Sequence, residues 1–264
     1  MYRLRPGASA WLRERLTIGI PYIHSGDAMI AIGITALAIV VAALTVTLIA
    51  RAGRRAGVVA ALVVVVLIIV EYALASSGVL REWGRRPPPL MLAAGVPILL
   101  ALVTALSGVG RRVAASASFA WIIGIQSFRF PLELLMHRAA TTGLMPPQMS
   151  YSGLNFDIVS GILAIVVAVA ASRSARSRGL VTAWNILGTL LLVNIVSIAI
   201  ASTPMFAAFG PDRLNTWIAD PPYVFLPAVL VPAAAFGHAL TWRKLVMEAG
   251  RSVTLDQRVR RSSG

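Results

Sequence analysis

The sequence of 264 residues contains no cysteine and a single lysine, Lys244. Without cysteine the chain forms no disulfide, holds no metal through a thiolate and has no thiol nucleophile. A retinal Schiff base requires a lysine inside a helical bundle, and Lys244 follows the last apolar segment of the chain. These absences exclude disulfide-stabilised folds, thiol enzymes and retinal proteins.

Charged residues are also scarce, at 13% of the chain against roughly a quarter in typical soluble domains. Hydrophobic residues make up 58% of the chain and the mean hydropathy is +0.80. We therefore predict an all-α fold, a polytopic helical membrane protein. The excess of arginine over lysine is typical of a GC-rich bacterial genome, so the expected location is the inner (plasma) membrane of a bacterium.

Crossing the hydrocarbon core of a bilayer takes about 20 apolar residues. The segment after Asn155 and Asp157 is the shortest, but these residues suit a helix N-terminus and Arg173 marks its end. We predict seven transmembrane helices at residues 28–50, 57–80, 90–109, 115–138, 157–172, 180–202 and 223–242.

The formal net charge of +14 comes almost entirely from arginine. Most of these arginines lie in alternate short connections and in the C-terminal segment, where they indicate topology and contact with anionic lipid rather than binding of nucleic acid. The bias predicts an outside N-terminus and a cytoplasmic C-terminus. Residues 1–26 are expected to form an interfacial segment, residues 27–242 the seven-helix domain, and residues 243–264 a basic cytoplasmic tail that lacks stable structure from Arg251 onward.

The fourth predicted helix carries a polar stripe formed by Gln126, Arg129, Glu133 and His137. At 100° per residue these four side chains share an arc of about 80°. An intramembrane charge costs roughly 2.5 to 3.5 kcal/mol on insertion scales, so the stripe is expected to face protein or water. Pro131 removes a backbone hydrogen bond within the stripe and predicts a kink.

Polar residues from other helices are predicted to meet this stripe in the outer half of the bundle. Arg129 is expected to pair with Glu133 along the helix or with Glu71 of the second helix, and Asn194 lies at a similar predicted depth. Each residue also has a structural interpretation: the charge pair fixes helix register, His137 suits a helix C-terminus, Asn155 and Asp157 cap a helix, and Asn194 bonds between helices. Asn185 and His238 are placed near the inner ends of their helices, remote from the stripe.

The connection at residues 139–156 is unusually apolar and is expected to fold back over the bundle as a cover. The segments FRFPLE and GLMPPQMSYSGLNFDI, residues 128–133 and 143–158, resemble a family of uncharacterised bacterial multi-span membrane proteins. The resemblance implies that Arg129, Glu133, Asn155 and Asp157 belong to one unit, and it implies no activity.

Three functions remain open at this point. The leading hypothesis is an outward-facing polar pocket for a small solute, ion or proton, in transport or sensing. Its expected ligand-binding residues are Glu71, Gln126, Arg129, Glu133, His137, Asn155, Asp157 and Asn194.

The alternatives are an intramembrane enzyme for a lipid or lipid-linked substrate, with Glu133 and Asp157 as acid–base groups and His137 as a metal ligand, and an accessory subunit whose charges pair with a membrane partner. The sequence has no P-loop, GxSxG or HExxH motif, so no cofactor and no metal are assigned, and the reaction, if any, is left open.

Overall fold

The computed structural model describes residues 25–174 and 177–262, with side chains for 27–174 and 177–250. The predicted interfacial segment lies outside the described residues except at its end. Nine α-helices occur in the described part, and no strand does. They are α1 Ser25–Ala50, α2 Arg54–Ser76, α3 Pro89–Leu106, α4 Gly108–Ser116, α5 Phe119–Ile125, α6 Arg129–Thr141, α7 Asp157–Arg173, α8 Arg178–Ala201 and α9 Val231–Ser262.

Five of the described helical segments are long and apolar enough to cross a membrane. They are Asp27–Ala50, Arg54–Ser76, Pro89–Leu106, Phe119–Thr141 and Arg178–Ala201. The fifth predicted span coincides with α7, whose 17 residues reach only about 26 Å at 1.5 Å per residue. The seventh coincides with a π-helical turn, Leu226–Leu230, followed by α9. The all-α prediction is confirmed. Of the seven predicted crossings, the described residues show five helices of membrane length.

The last helix is longer than the sequence predicted. α9 runs through Ser262, where we expected a tail without stable structure. Its helical geometry begins in the π-helical turn at Leu226, close to the start of the predicted span at residues 223–242. His238 therefore lies about 18 Å along a continuous helical element rather than near its inner end.

The polar stripe is divided between two helices. A 3₁₀ turn at Gln126–Phe128 separates α5 from α6, one turn before Pro131. The missing amide hydrogen of proline prevents regular α-helical bonding at this point. The kink predicted at Pro131 therefore corresponds to an irregular turn just before it.

α9 is at the centre of the bundle and packs against α3, α8, α4 and α5. α7 packs against α5, α6 and α8, while α2 packs mainly on α1. Only Gly57, Glu71 and Ala75 of α2 are buried, so the outer surface of this helix is a continuous array of exposed valine, leucine and isoleucine.

Basic side chains cap helix ends at one end of the bundle, which we call the arginine-rich end. Arg112 donates to the carbonyl of Ala52 at 3.2 Å and Lys244 to that of Ala114 at 2.9 Å. Arg243 donates to the carbonyl of Ala105 at 2.8 Å. Each cation therefore satisfies a carbonyl that follows or ends a helix, where the helix dipole favours positive charge.

The segment at residues 139–156 belongs to the opposite end of the bundle. Its Met145 and Met149 are buried in the core, whereas Leu154 is exposed. Gly153 is required there because an added Cβ would lie 2.3 Å from the carbonyl oxygen of Pro147. Arg81 and Asp220 form an ion pair at the same end. The hydrogen bond between their side chains raises the pKa of Arg81 above its ordinary value.

Candidate functional site

The centre of the site is an ion pair between Arg129 of α6 and Asp157 of α7. The Nε atom of Arg129 donates to Asp157 Oδ2 at 2.6 Å, and Nη2 donates to Oδ1. Arg129 is 1% exposed and Asp157 is 4% exposed. The pair is thus a two-point, fully buried contact, which is the geometry that a guanidinium and a carboxylate favour.

The remaining N–H groups of Arg129 also have acceptors. Nη1 donates to Ser160 Oγ at 3.0 Å and faces His238 Nε2 at 2.7 Å. Nη2 donates to the carbonyl of Gly188 at 3.4 Å. A guanidinium has five donors, so every donor of Arg129 is engaged with α7, α8 or α9.

This contact determines the protonation of His238. Because an arginine only donates, His238 Nε2 must accept, and the ring is neutral with its proton on Nδ1. Nδ1 lies 2.8 Å from Asn185 Oδ1, and Asn185 Nδ2 donates to the His238 carbonyl at 3.2 Å. A continuous hydrogen-bonded network thus joins Asp157, Arg129, His238 and Asn185.

Two glycines allow the helices to approach closely enough for this network. A Cβ on Gly188 would lie 2.4 Å from His238 Cε1 and 2.9 Å from Ser160 Oγ. A Cβ on Gly161 would lie 2.4 Å from the backbone nitrogen of Phe130. Close helix contacts through small residues are typical of helical membrane proteins.

Glu133 lies one turn after Arg129 and has a different environment. Asn155 Nδ2 lies 2.8 Å from both carboxyl oxygens of Glu133, and it also contacts the carbonyl of Met149 at 3.0 Å. Asn155 Oδ1 accepts from the backbone nitrogen of Asp157 at 3.0 Å. Asn155 therefore connects Glu133 to the first turn of α7.

The expected pairing of Arg129 with Glu133 or Glu71 is not what the structure shows. Asp157 and Ser160 are three residues apart on the face of α7 that packs against Arg129, so both reach the guanidinium. Glu133 binds the Asn155 amide instead and forms no ion pair with a described residue. Glu71 is 4% exposed, and its Oε2 has no hydrogen-bond partner among the described residues.

Three other predicted residues lie apart from the ion pair. Gln126 is buried and donates to the carbonyl of Ala233 at 3.4 Å. His137 Nδ1 lies 3.1 Å from Ser150 Oγ, and its ring stacks on Tyr151 at 4.3 Å between centroids. Asn194 donates to the carbonyl of Leu154 at 2.9 Å. His137 is therefore held by side chains of the segment at residues 139–156 rather than by a helix C-terminus, and Asn194 bonds to a connecting segment rather than to another helix.

Sequence reasoning missed Asn185 and His238 as members of the site. Both are polar residues in apolar helices, which is a usable signal, but counting depth from the predicted helix ends placed them too far from Arg129. For His238 the error lies at the C-terminal end, because α9 continues to Ser262 and residue 242 is not the helix end from which depth should be counted. Ser160 and Gly188, which accept hydrogen bonds from Arg129, are small residues that the sequence alone does not distinguish from packing positions.

An apolar cavity of about 250 Å³ lies beside the network. We call it cavity A. Its polar lining includes Arg129, Glu133 and Asp157, and most of the remaining lining is aliphatic, methionine or tryptophan side chains from α3, α6, α8 and the π-helical turn. No cluster of three or more metal-binding side chains occurs in residues 27–174 and 177–250.

The fold and the site define a helical protein in which apolar helices surround one buried charged network and an adjoining apolar cavity. The chain belongs to the family described as Domain of unknown function (DUF8737), which matches residues 87–246. No curated protein and no solved structure matches the chain. The matched range contains every contact of Arg129 described above, together with the segment that resembles an uncharacterised family, and it excludes α1 and α2.

Proposed function

We propose that the chain is an integral membrane protein that crosses the bilayer seven times, with its arginine-rich end in the cytoplasm and its N-terminus outside. The exposed apolar surface of α2 supports insertion, because a contiguous apolar surface of that size is unfavourable in water. α7 and α9 are included as crossings because they pack along membrane-length helices. The alternation of connections between the arginine-rich end and the opposite end supports an odd number of crossings.

In this proposal cavity A binds a small, largely apolar solute that carries a cationic or hydrogen-bond-donating group, for transport or sensing. The observation that carries it is Glu133, a carboxyl group in the wall of an apolar cavity without a cation partner among the described residues. A ligand ammonium group would supply that partner. Charge-assisted hydrogen bonds contribute about 1.5 to 3 kcal/mol.

Arg129 has a positioning role in this proposal rather than a ligand-binding one. All of its donors already have acceptors, so an anionic solute would have to displace Asp157, Ser160 or His238. Breaking a buried ion pair leaves an uncompensated charge and costs about 3 to 5 kcal/mol. The site therefore favours cationic over anionic ligands.

The enzyme hypothesis receives less support from these contacts. Asp157 is held by Arg129 and is not free to exchange a proton with Glu133. His137 is engaged with Ser150 and Tyr151, away from the lining of cavity A. The accessory-subunit hypothesis requires unsatisfied charge that a partner can reach. Glu71 on α2 has an unpaired Oε2 among the described residues, but the side chain is buried within this chain.

Octylamine and octanoate provide a direct test, because they share an alkyl chain and differ in the sign of their charge. We expect octylamine to bind the purified, detergent-solubilised protein, measured by calorimetry, and octanoate not to bind. Glu133→Gln should weaken octylamine binding about 10- to 100-fold, the equivalent of one charge-assisted hydrogen bond.

Gly95 offers a matched control for the location of binding. It lines cavity A, and a Cβ there would meet nothing within 4 Å. Gly95→Phe should fill the cavity and abolish octylamine binding, whereas Gly95→Ala should preserve it. Equal binding of both ligands, or unchanged octylamine binding in Glu133→Gln, would refute the proposal.

A further inference from the structure

A second cavity, cavity B, lies in the half of the bundle that contains the arginine-rich end. Its volume is about 440 Å³, within the range of about 300 to 1,000 Å³ that is usual for ligand sites. α1, α2, α3 and α9 contribute apolar side chains to its wall, among them Val63, Leu67, Leu100 and Phe236. It is separate from cavity A, and none of its lining residues is a hydrogen-bond partner of Arg129.

The polar end of cavity B is basic. Arg55 and Arg112 both line it, and both side chains are exposed. No acidic residue is present among the described side chains that line this cavity. A ligand that fits must therefore combine an apolar portion with a negative charge at one end.

Backbone groups add to the positive potential at this end. Ala56 in the first turn of α2 also lines cavity B. Val109 in the first turn of α4 lines it as well, but its amide already donates to Ser107 Oγ at 3.1 Å. The first amide groups of a helix lack intrahelical partners and attract anions, phosphate above all. The N-terminus of α2 and two arginine side chains thus line the same end of the cavity.

We infer that cavity B binds an anionic phospholipid of the adjacent leaflet, with an acyl chain along α2 and α3 and the phosphate headgroup at Arg55 and Arg112. A free anion would leave the aliphatic wall unfilled, and a neutral lipid would leave the guanidinium groups without a counterion. This site goes beyond the proposed function, since it shares no lining residue with cavity A.

Native mass spectrometry of the purified protein with phosphatidylglycerol and phosphatidylcholine of identical acyl chains tests the inference. We expect phosphatidylglycerol to bind more tightly. Each arginine near a headgroup contributes about fivefold in affinity, so the Arg55→Gln/Arg112→Gln variant should bind phosphatidylglycerol about 25-fold more weakly. Arg86→Gln/Arg213→Gln removes the same charge from exposed positions at the opposite end and should leave the affinity unchanged.

A second pair of variants tests the acyl-chain contact without changing charge. Ala60→Phe places a ring in the wall of cavity B and should weaken phosphatidylglycerol binding. Val66→Phe places the same ring on the exposed surface of α2 outside the cavity and should have no effect. Retained affinity in Ala60→Phe would overturn the inference.

Inorganic phosphate distinguishes a lipid site from a simple anion site. Millimolar phosphate should not displace bound phosphatidylglycerol, because phosphate lacks the acyl chain. Displacement by phosphate, equal affinity for the two lipids, or equal losses in the two double-arginine variants would each contradict a phospholipid site. Octylamine binding at cavity A is unaffected by these outcomes, so the two proposals fail independently.

Discussion

At the scale of single residues, Arg129 is the position whose substitution should lower the free energy of unfolding most. Arg129→Gln leaves Asp157 buried without a countercharge and His238 Nε2 without its donor. Loss of one partner of a buried pair costs about 3 to 5 kcal/mol, a large share of the usual stability of 5 to 15 kcal/mol. We expect a corresponding fall in the free energy of unfolding, measured by denaturant titration in mixed micelles.

Arg86→Gln is the matched control for this loss of charge, because Arg86 is exposed at the opposite end of the bundle. Its free energy of unfolding should change by less than about 0.5 kcal/mol, as usual for exposed substitutions. If both variants were equally stable, Arg129 would not hold the helices together in the way described.

The sequence anticipated part of this residue-scale picture for a physical reason. Arg129, Glu133, Asn155 and Asp157 were expected to form one unit, and the structure places them together. Which carboxylate would meet Arg129 depended on the register between α6 and α7, and Gly161 and Ser160 set that register through close contact. In the sequence such a contact is visible only as a small residue, and a small residue does not indicate which helix packs against it.

At the scale of helices, the packing of α8 on α9 depends on Gly188. Gly188→Ala would place a methyl group 2.4 Å from His238 Cε1, and both helix backbone and ring are held by the network. Overpacking of this kind costs about 1 to 3 kcal/mol. We expect a lower free energy of unfolding in Gly188→Ala and weakened contact of His238 with Arg129, visible as a change in the His238 ring resonances by NMR.

Gly95→Ala is the control at this scale, since it makes the same substitution within a helix and meets no atom within 4 Å. Alanine favours helix by up to about 1 kcal/mol over glycine, so this variant should be as stable as the original chain or more so. A stabilised Gly188→Ala variant would contradict the close α8–α9 contact.

Helix positions were predictable from hydropathy, and helix ends were less so. Each predicted span overlaps a helix, because apolar runs bounded by arginine, proline or glycine are strong signals. The π-helical turn at Leu226–Leu230 and the extension of α9 to Ser262 were not predictable in this way. A π-helical turn has no composition of its own, and the polar residues of the extension resemble those of an unstructured tail.

At the scale of the whole molecule, the absence of cysteine makes the proposed topology directly testable. Single cysteines introduced at exposed positions become the only thiols of the chain. Gly84→Cys and Thr142→Cys lie at the opposite end of the bundle, and Gly108→Cys and Gly179→Cys at the arginine-rich end.

A membrane-impermeant maleimide should label the first pair in intact cells and the second pair only after lysis. The physical reason is that the arginine-rich connections resist translocation, which fixes that end in the cytoplasm. The reverse pattern would mean that the arginine-rich end lies outside the cell and the opposite end of the bundle lies in the cytoplasm. Labelling of all four cysteines in intact cells would contradict the crossings themselves, because the two ends could not then be separated by a bilayer.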